Sequence, residues 1–188
     1  MSTSRFEIID TPLSGLKVIQ RKPIEDARGF LCRFFCAEEF LHIGFNKPIA
    51  QINHTLTHKV GAVRGLHFQH PPYAEVKVVS CLKGEIFDVA VDIRRSSATF
   101  LHWHGEILSA ANQKSLLIPE GFAHGFQALS ENCEVIYMVS ASFHPQSEGA
   151  LNVADKRLRI VWPLNITELS QRDKSHSFID ADFEGITL

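Results

Sequence analysis

The chain has 188 residues, of which 45% are hydrophobic and 14 are phenylalanine, enough apolar material for one domain spanning residues 1–188. Its formal net charge of −2 excludes an overall field that attracts nucleic acid or an anionic membrane. No apolar run is long enough to predict a transmembrane helix. The N-terminal sequence MSTSRFEIIDTP lacks the features of a signal peptide, which predicts a cytoplasmic protein.

Two short helices and a series of strands are predicted in chain order. The helices are expected over 36–43 and in the tail around 166–173. β-Branched and aromatic runs predict strands over 75–83 and 85–94, where successive side chains alternate between two faces, and the pattern continues over 114–118, 124–129 and 133–140. Pro119 and Gly121 indicate a tight turn between two of these strands. This pattern favours an all-β sandwich or barrel, with a jelly roll as the natural candidate and a small ligand in its mouth.

The cysteines and the histidine-rich segment offer two other kinds of chemistry. The cysteines form no CxxC pair, so we interpret them as reduced, mostly buried thiols: Cys32, Cys36, Cys81 and Cys133. No GxSxG motif is present and no cysteine has a local histidine partner, which disfavours nucleophilic catalysis. His102 and His104 have the HxH spacing of a cupin metal site, which Glu106 and His124 could complete. Because HxH follows the turn RRSSATF, exposed histidines at a strand start are the preferred interpretation, and no metal is expected.

Two other strings place polar groups in apolar surroundings. RGLHFQ at 64–69 and IPEGFAHGF at 118–126 carry histidines within runs typical of buried strands or tight turns. Buried charges and imidazoles are costly unless they have partners or a task. One such task is proton transfer beside a carbonyl, with His67 as base, Lys77 or Arg64 at the enolate and Tyr137 as acid. Taken singly, His67 could equally be a hydrogen-bonded core residue and Tyr137 a packed core aromatic.

Read together, these strings resemble the dTDP-4-dehydrorhamnose 3,5-epimerase family. The matching segments, in order, are DxRGF (Asp26 to Phe30), QxN (Gln51 to Asn53), RGLHFQ, Lys77 with DVAVDIR (Asp88 to Arg94), PEGFAHGF (Pro119 to Phe126), the strand of Tyr137, Trp162-Pro163 and LSxxD (Leu169 to Asp173). The resemblance covers about positions 26–173. It implies a cupin-type jelly roll that forms a homodimer, uses no cofactor and acts on nucleotide-linked 4-keto-6-deoxyhexoses.

The resemblance also implies roles for individual residues. His67 matches the general base, Asp173 the carboxylate that orients it, Lys77 the lysine near the enolate oxygen and Tyr137 the proton donor. A carboxylate behind His67 would fix its tautomer and stabilise the imidazolium. These roles agree with those that the residue types suggest on their own.

The implied substrate-binding residues include three departures from the family pattern. Positions that match sugar-, diphosphate- or pocket-lining residues are Arg28, Arg64, Gln51, Asn53 and His124. Arg33 replaces the usual glutamate near the nucleotide, Phe143 replaces a second tyrosine, and Glu75 replaces a glutamine two residues before the lysine. These changes leave open the nucleotide, the sugar and the number of epimerised centres.

The most direct interpretation is a 3,5-epimerase of dTDP-4-dehydro-6-deoxyglucose in rhamnose synthesis. The alternatives are an epimerase that inverts only C3 or only C5 of another 4-keto nucleotide sugar, a nucleotide-sugar-binding protein without turnover, and a metal-dependent cupin dioxygenase. The joint presence of His67, Lys77, Tyr137 and Asp173 disfavours a binding protein without turnover.

Overall fold

The computed structural model describes residues 4–188. In this range the regular secondary structure is mostly β-strand, with three short helical segments. The strands are β1 Phe6–Asp10, β2 Lys17–Arg21, β3 Ile24–Asp26, β4 Gly29–Leu31, β5 Gln51–Thr57, β6 Val63–Gln69, β7 Lys77–Lys83, β8 Glu85–Asp92, β9 Trp103–Ser109, β10 Lys114–Ile118, β11 Phe122–Ala128, β12 Cys133–Val139 and β13 Glu148–Ala150. The helices are α1 Ala37–Leu41, the 3₁₀ turn Pro145–Ser147 and α2 Gln171–Ser175.

Two antiparallel sheets face each other across the protein. Among the described residues one sheet has the order β1-β2-β10-β7-β12-β5, and the other has the order β13-β6-β11-β8-β9. A separate hairpin is formed by β3 and β4. Because neighbours such as β2 and β10 are far apart in sequence, the chain crosses repeatedly between the sheets, as in a jelly roll. The predicted all-β sandwich is confirmed.

The core between the sheets is built from alternate residues of each strand. Val79 and Val135 from one sheet meet Ala90 and Phe126 from the other in a single buried cluster. Since side chains alternate across a strand, Lys77 points to the same side as Val79, towards the space between the sheets. The alternation that the sequence predicted for the strands before and after Gly84 therefore brings charged groups inside the sandwich.

The outer faces of both sheets are also covered. Leu66 and Val91 pack against the C-terminal segment, which contributes Leu151, Val153, Leu158 and Ile186. On the other sheet, Ile19 packs against Phe40 of α1. All four cysteines are free thiols, as predicted, with Cys81 and Cys133 buried and Cys32 and Cys36 half-buried.

The second helix begins later than predicted. Ser170 caps α2, because its hydroxyl accepts a hydrogen bond from the backbone N–H of Asp173 at 3.0 Å. The preceding residues are extended, since Thr167 N donates to the Gly61 carbonyl and Glu168 bridges to Ala62. The prediction of a helix around 166–173 is therefore wrong in its first half, whereas α1 lies within the predicted 36–43.

No helix in residues 4–188 has the length and apolarity needed to span a membrane.

Candidate active site

A cavity of about 670 Å³ opens between the two sheets. Strands β5, β6, β7, β11 and β12 contribute to its walls, and the segment leading into α2 closes one side. Six of the predicted site residues line it: Arg64, His67, Lys77, His124, Tyr137 and Asp173. The remaining lining combines apolar residues such as Val63 and Phe126 with polar and charged ones such as Lys59 and Glu168, so these groups converge on a partly apolar space.

His67 and Asp173 form a hydrogen-bonded pair. The two are 106 positions apart, but β6 and α2 bring His67 Nε2 to 2.7 Å from Asp173 Oδ1. Burial alone would raise the pKa of Asp173, but the hydrogen bond and charge of His67, with further hydrogen bonds, lower it below its usual value. An ionised Asp173 fixes the imidazole with its proton on Nε2, which leaves Nδ1 as the nitrogen that can accept a proton.

Arg172 is a further neighbour of this pair that sequence reasoning missed. Its Nη2 lies 3.3 Å from His67 Nε2, and its Nη1 contacts both carboxylate oxygens of Glu148 at 3.1 Å. The LSxxD match contained Arg172 as a variable position, so its only sequence signal was a cation directly before Asp173.

Lys77 and Glu75 form an ion pair deep in the sandwich. Lys77 Nζ lies 2.9 Å from Glu75 Oε1, and both side chains are about one-tenth exposed. Lys77 lines the cavity, whereas Glu75 does not. Glu75 nevertheless holds the ammonium group of Lys77 through this ion pair. The departure from glutamine therefore places a carboxylate against the cavity lysine.

Tyr137 lies in β12, opposite Asn53 of β5 and Val79 of β7. Burial raises the pKa of its phenol; Arg64 opposes this shift and the charge of Glu75 adds to it. Tyr137 is therefore a neutral phenol at neutral pH and has a proton to give. Arg64 is held in place by Thr57, whose hydroxyl accepts from Arg64 Nε at 2.9 Å.

His124 forms a second histidine–carboxylate pair with Asp88. His124 Nε2 lies 2.8 Å from Asp88 Oδ1, and Asp88 is fully buried. His124 is directly opposite His67 across β6 and β11. The sequence marked His124 as a pocket residue but did not identify Asp88 as its partner, because that contact depends on the pairing of β8 with β11.

The other predicted binding residues lie outside the wall of this cavity. Gln51 Oε1 accepts a hydrogen bond from the backbone N–H of Phe143, whose ring is half-exposed, and Asn53 is opposite Tyr137. Arg28 is in the β3–β4 hairpin, where its exposed guanidinium pairs with Asp26. Arg33 pairs with Glu39 of α1 at 3.1 Å.

The predicted alternative metal set is not assembled. His124 is engaged by Asp88, while Glu106 accepts from Lys114 at 2.7 Å and lies 3.5 Å from His104. His102, just before β9, is exposed as the sequence suggested, whereas His104 is half-buried, so the expectation of two exposed histidines is wrong for His104. Within residues 4–188, the one grouping of three side chains with metal-ligand atoms close together is His67, Asp173 and His176.

An imidazole with an orienting carboxylate, a neutral phenol and a lysine in one jelly-roll cavity define a cupin-type isomerase that moves protons. The family model described as dTDP-4-dehydrorhamnose 3,5-epimerase matches residues 10–181. The chain belongs to that family, and the resemblance noted from the motifs is confirmed.

Curated and solved relatives agree with this placement. The dTDP-4-dehydrorhamnose 3,5-epimerase of Shigella flexneri is 41% identical over 180 residues, covering 95% of this chain and 99% of that protein. The Legionella pneumophila dTDP-6-deoxy-D-glucose-3,5-epimerase, solved with dTDP-4-keto-L-rhamnose, superposes with a TM-score of 0.90 at 38% identity and covers 97% and 99% of the two chains. A 3′-monoepimerase from Streptomyces bikiniensis, solved with dTDP-quinovose, superposes with a TM-score of 0.82 at 29% identity. The match covers 90% of this chain and 86% of that one. The cupin-type jelly roll is thereby confirmed.

Proposed function

We propose that the protein is a 3,5-epimerase of dTDP-4-dehydro-6-deoxyglucose, acting without a cofactor. The observation that carries the proposal is the convergence of the His67–Asp173 pair, Lys77 and Tyr137 on one cavity. The named activity of the Shigella flexneri and Legionella pneumophila relatives supports the choice of sugar and nucleotide.

The proposed reaction is a proton transfer next to the 4-keto group. His67 takes the C–H proton, the bonding electrons move to the ketone oxygen, and the ammonium group of Lys77 stabilises the resulting enolate. Tyr137 then gives a proton to the carbon; solvent reprotonates Tyr137, and His67 releases the proton it took to solvent. His67 comes from the five-stranded sheet and Tyr137 from the facing six-stranded sheet, so the two groups approach the substrate from opposite walls. Opposite approach is what inversion of a carbon centre requires.

We further propose that the protein is a homodimer in which Arg28 and Arg33 of one subunit bind the diphosphate of the nucleotide sugar held in the cavity of the other subunit. Both residues lie outside the cavity of their own chain, on or just after an exposed hairpin. The hairpin exposes Phe30 and Leu31, and the outer face of edge strand β5 exposes Ile52. Exposed apolar groups on a projecting hairpin and on a sheet edge are typical of surfaces that associate. Arginine suits a diphosphate because its guanidinium donates two parallel hydrogen bonds.

Deuterium incorporation tests the proposed activity. The protein is incubated in D₂O with dTDP-4-dehydro-6-deoxyglucose, and NMR resolves exchange and configuration at C3 and C5. Exchange and inversion at both centres support the 3,5-epimerase. Exchange confined to one centre would support a mono-epimerase, the second candidate, which is favoured by Phe143 and by the 3′-monoepimerase neighbour. No exchange at either centre would contradict the proposal and indicate binding without turnover.

Mixed dimers test the proposed contribution of the neighbouring subunit. Arg28→Ala is expected to raise KM about 10- to 100-fold, since a charged hydrogen bond in a partly buried site is worth about 1.5–3 kcal/mol. Mixing Arg28→Ala with inactive His67→Asn should restore activity in dimers that contain one intact composite cavity. Equal KM for Arg28→Ala and wild type, or a mixture no more active than the sum of its parts, would contradict the assignment.

A further inference from the structure

His176 extends the His67–Asp173 pair into a three-residue cluster that the proposed reaction does not use. His176 Nε2 lies 3.8 Å from Asp173 Oδ1, and the metal-ligand atoms of the three residues lie within 4.8 Å of one another. This nitrogen is buried and has no hydrogen-bond partner within residues 4–188. Asn152 fixes the backbone at this point, because its Nδ2 donates to the His176 carbonyl at 2.8 Å.

We propose that His67, Asp173 and His176 bind a transition-metal ion of the zinc class, and that this ion inhibits the enzyme. Two imidazoles and one carboxylate are ligand types that zinc takes, with metal–ligand bonds of about 2.0–2.2 Å. Tetrahedral bonds of that length place ligand atoms about 3.4 Å apart. The two separations that involve Asp173, 2.7 and 3.8 Å, lie on either side of this value, and all three ligand atoms lie within 4.8 Å of one another, so side-chain movements of about 1 Å assemble three ligands. A water molecule would take the fourth position.

The charges around the cluster set its affinity. Asp173 supplies one negative charge, and the two histidines bind a metal as neutral groups. Arg172 opposes the ion, because its guanidinium lies 3.3 Å from His67 Nε2. Glu148 neutralises that guanidinium through two contacts at 3.1 Å, and the Arg172 side chain is half-exposed, so it can move aside without leaving a buried charge unpaired. Removing the charge of Arg172 is therefore expected to strengthen metal binding.

The inhibition follows from the tautomer of His67. In the metal-free pair the proton is on Nε2 and the lone pair is on Nδ1. Binding of the ion at Nε2 moves that proton to Nδ1, and Asp173 stays ionised as a ligand, so no proton is lost and no electron is transferred. Both ring nitrogens are then occupied and His67 can no longer take a proton from the substrate. This inhibition rests on the proposed role of His67 as the base, whereas metal binding itself does not.

Metal binding is measured first, independently of activity. Full-length protein without a histidine tag is treated with EDTA, exchanged into buffer, and titrated with Zn²⁺ against a chromophoric chelator, with Co²⁺ absorbance as a second readout. We expect one ion per chain, weakened at least about tenfold in His176→Ala by loss of one of three ligands, and tightened in Arg172→Gln. His104→Ala is the matched control, because His104 also has a buried unpartnered Nε2 beside a carboxylate but belongs to no three-residue cluster. It should bind as wild type does.

Exchange of substrate deuterium then tests the inhibition. Zn²⁺ should inhibit wild type and His104→Ala in proportion to occupancy, EDTA should reverse the effect, and His176→Ala should resist it relative to its own metal-free rate. No ion bound to wild type, or unchanged binding in His176→Ala, would overturn the site. Binding without loss of exchange would overturn the inhibition. A wild type that binds the ion but never catalyses exchange would also overturn the inhibition, and it would contradict the proposed function while leaving the site intact.

Discussion

Two histidine–carboxylate pairs lie side by side on strands β6 and β11, and they differ in how the carboxylate reaches the ring. Asp88 comes from the adjacent strand of the same sheet and is fully buried behind His124. Asp173 comes from a helix near the C-terminus, and its histidine is about twice as exposed, at 25% against 11% of the side chain. Both histidines line the cavity, but they differ in exposure, and we propose that this difference separates their tasks. We assign proton transfer to the accessible pair and substrate binding to the enclosed pair.

Replacing each histidine by asparagine tests the two assignments directly and is expected to give the largest effects on the rate. His67→Asn is expected to lower deuterium exchange at the substrate carbons by about 10²–10⁴-fold, because it removes the general base. His124→Asn should cost about 10- to 100-fold, since it alters a hydrogen bond to substrate worth about 1.5–3 kcal/mol. Both rates are measured by NMR in D₂O, with circular dichroism as the control for folding. A larger loss in His124→Asn would reverse the assignment of the two pairs.

Tyr137→Phe separates exchange from inversion. His67 is still present in this variant, so it can remove the proton and return it to the original face. We expect deuterium to enter the substrate while the inverted sugar is lost, because Phe143 leaves no second tyrosine at the family's other phenol position. The configuration of the product is read by NMR. Normal inversion by the variant would show that Tyr137 only packs in the core.

The two carboxylates provide a smaller contrast. Asp173→Asn is expected to lower the exchange rate about 10- to 100-fold, because the imidazole remains but loses the charge that stabilises its protonated form. Asp88→Asn should have a smaller effect on the rate, since His124 holds substrate and does not carry the proton. Single-turnover exchange with saturating substrate measures both. Equal losses would mean that the two pairs act as one unit.

The sequence predicted the parts of the molecule that depend on local pattern or on the family motifs. Strands near Lys77 and Tyr137 follow from alternation, and the family motifs supplied Asp173 despite its distance from His67. Contacts set by strand register were not predictable. The pairing of Asp88 with His124 requires β8 to lie beside β11 with a particular alignment, which no local pattern contains.

Positions set by long-range placement were also missed or left incomplete. Arg172 approaches His67 only because Ser170 starts the helix where it does, and the helix was predicted too early. Arg28 matched a substrate-binding motif, but nothing in the motif indicated that it lies on an exposed hairpin away from its own chain's cavity. The sequence therefore identified candidate chemical groups better than it identified which surfaces they share.

Asp92, in the same strand as Asp88, is a buried carboxylate that does not line the cavity. It therefore shows what such a group does for stability alone. Burial alone would raise its pKa, but hydrogen bonds from Arg94, Ser97 and Thr99 outweigh that effect and lower the pKa to about 2. A carboxylate whose pKa is lower in the folded than in the unfolded state stabilises the fold when the pH is above its unfolded-state pKa of about 3.8. This contribution disappears as the pH falls towards 2.

The shift corresponds to about 2 kcal/mol of unfolding free energy, since one pKa unit is about 1.4 kcal/mol. Urea unfolding of wild type and Asp92→Asn between pH 5 and pH 2 measures it, and the difference between the two proteins should shrink by that amount as the pH falls. Asp10→Asn, which removes an exposed carboxylate paired with Lys17, is the control and should differ from wild type by less than about 1 kcal/mol throughout. A difference for Asp92→Asn that does not change with pH would mean that packing around the side chain, and not its charge, stabilises this end of the strand.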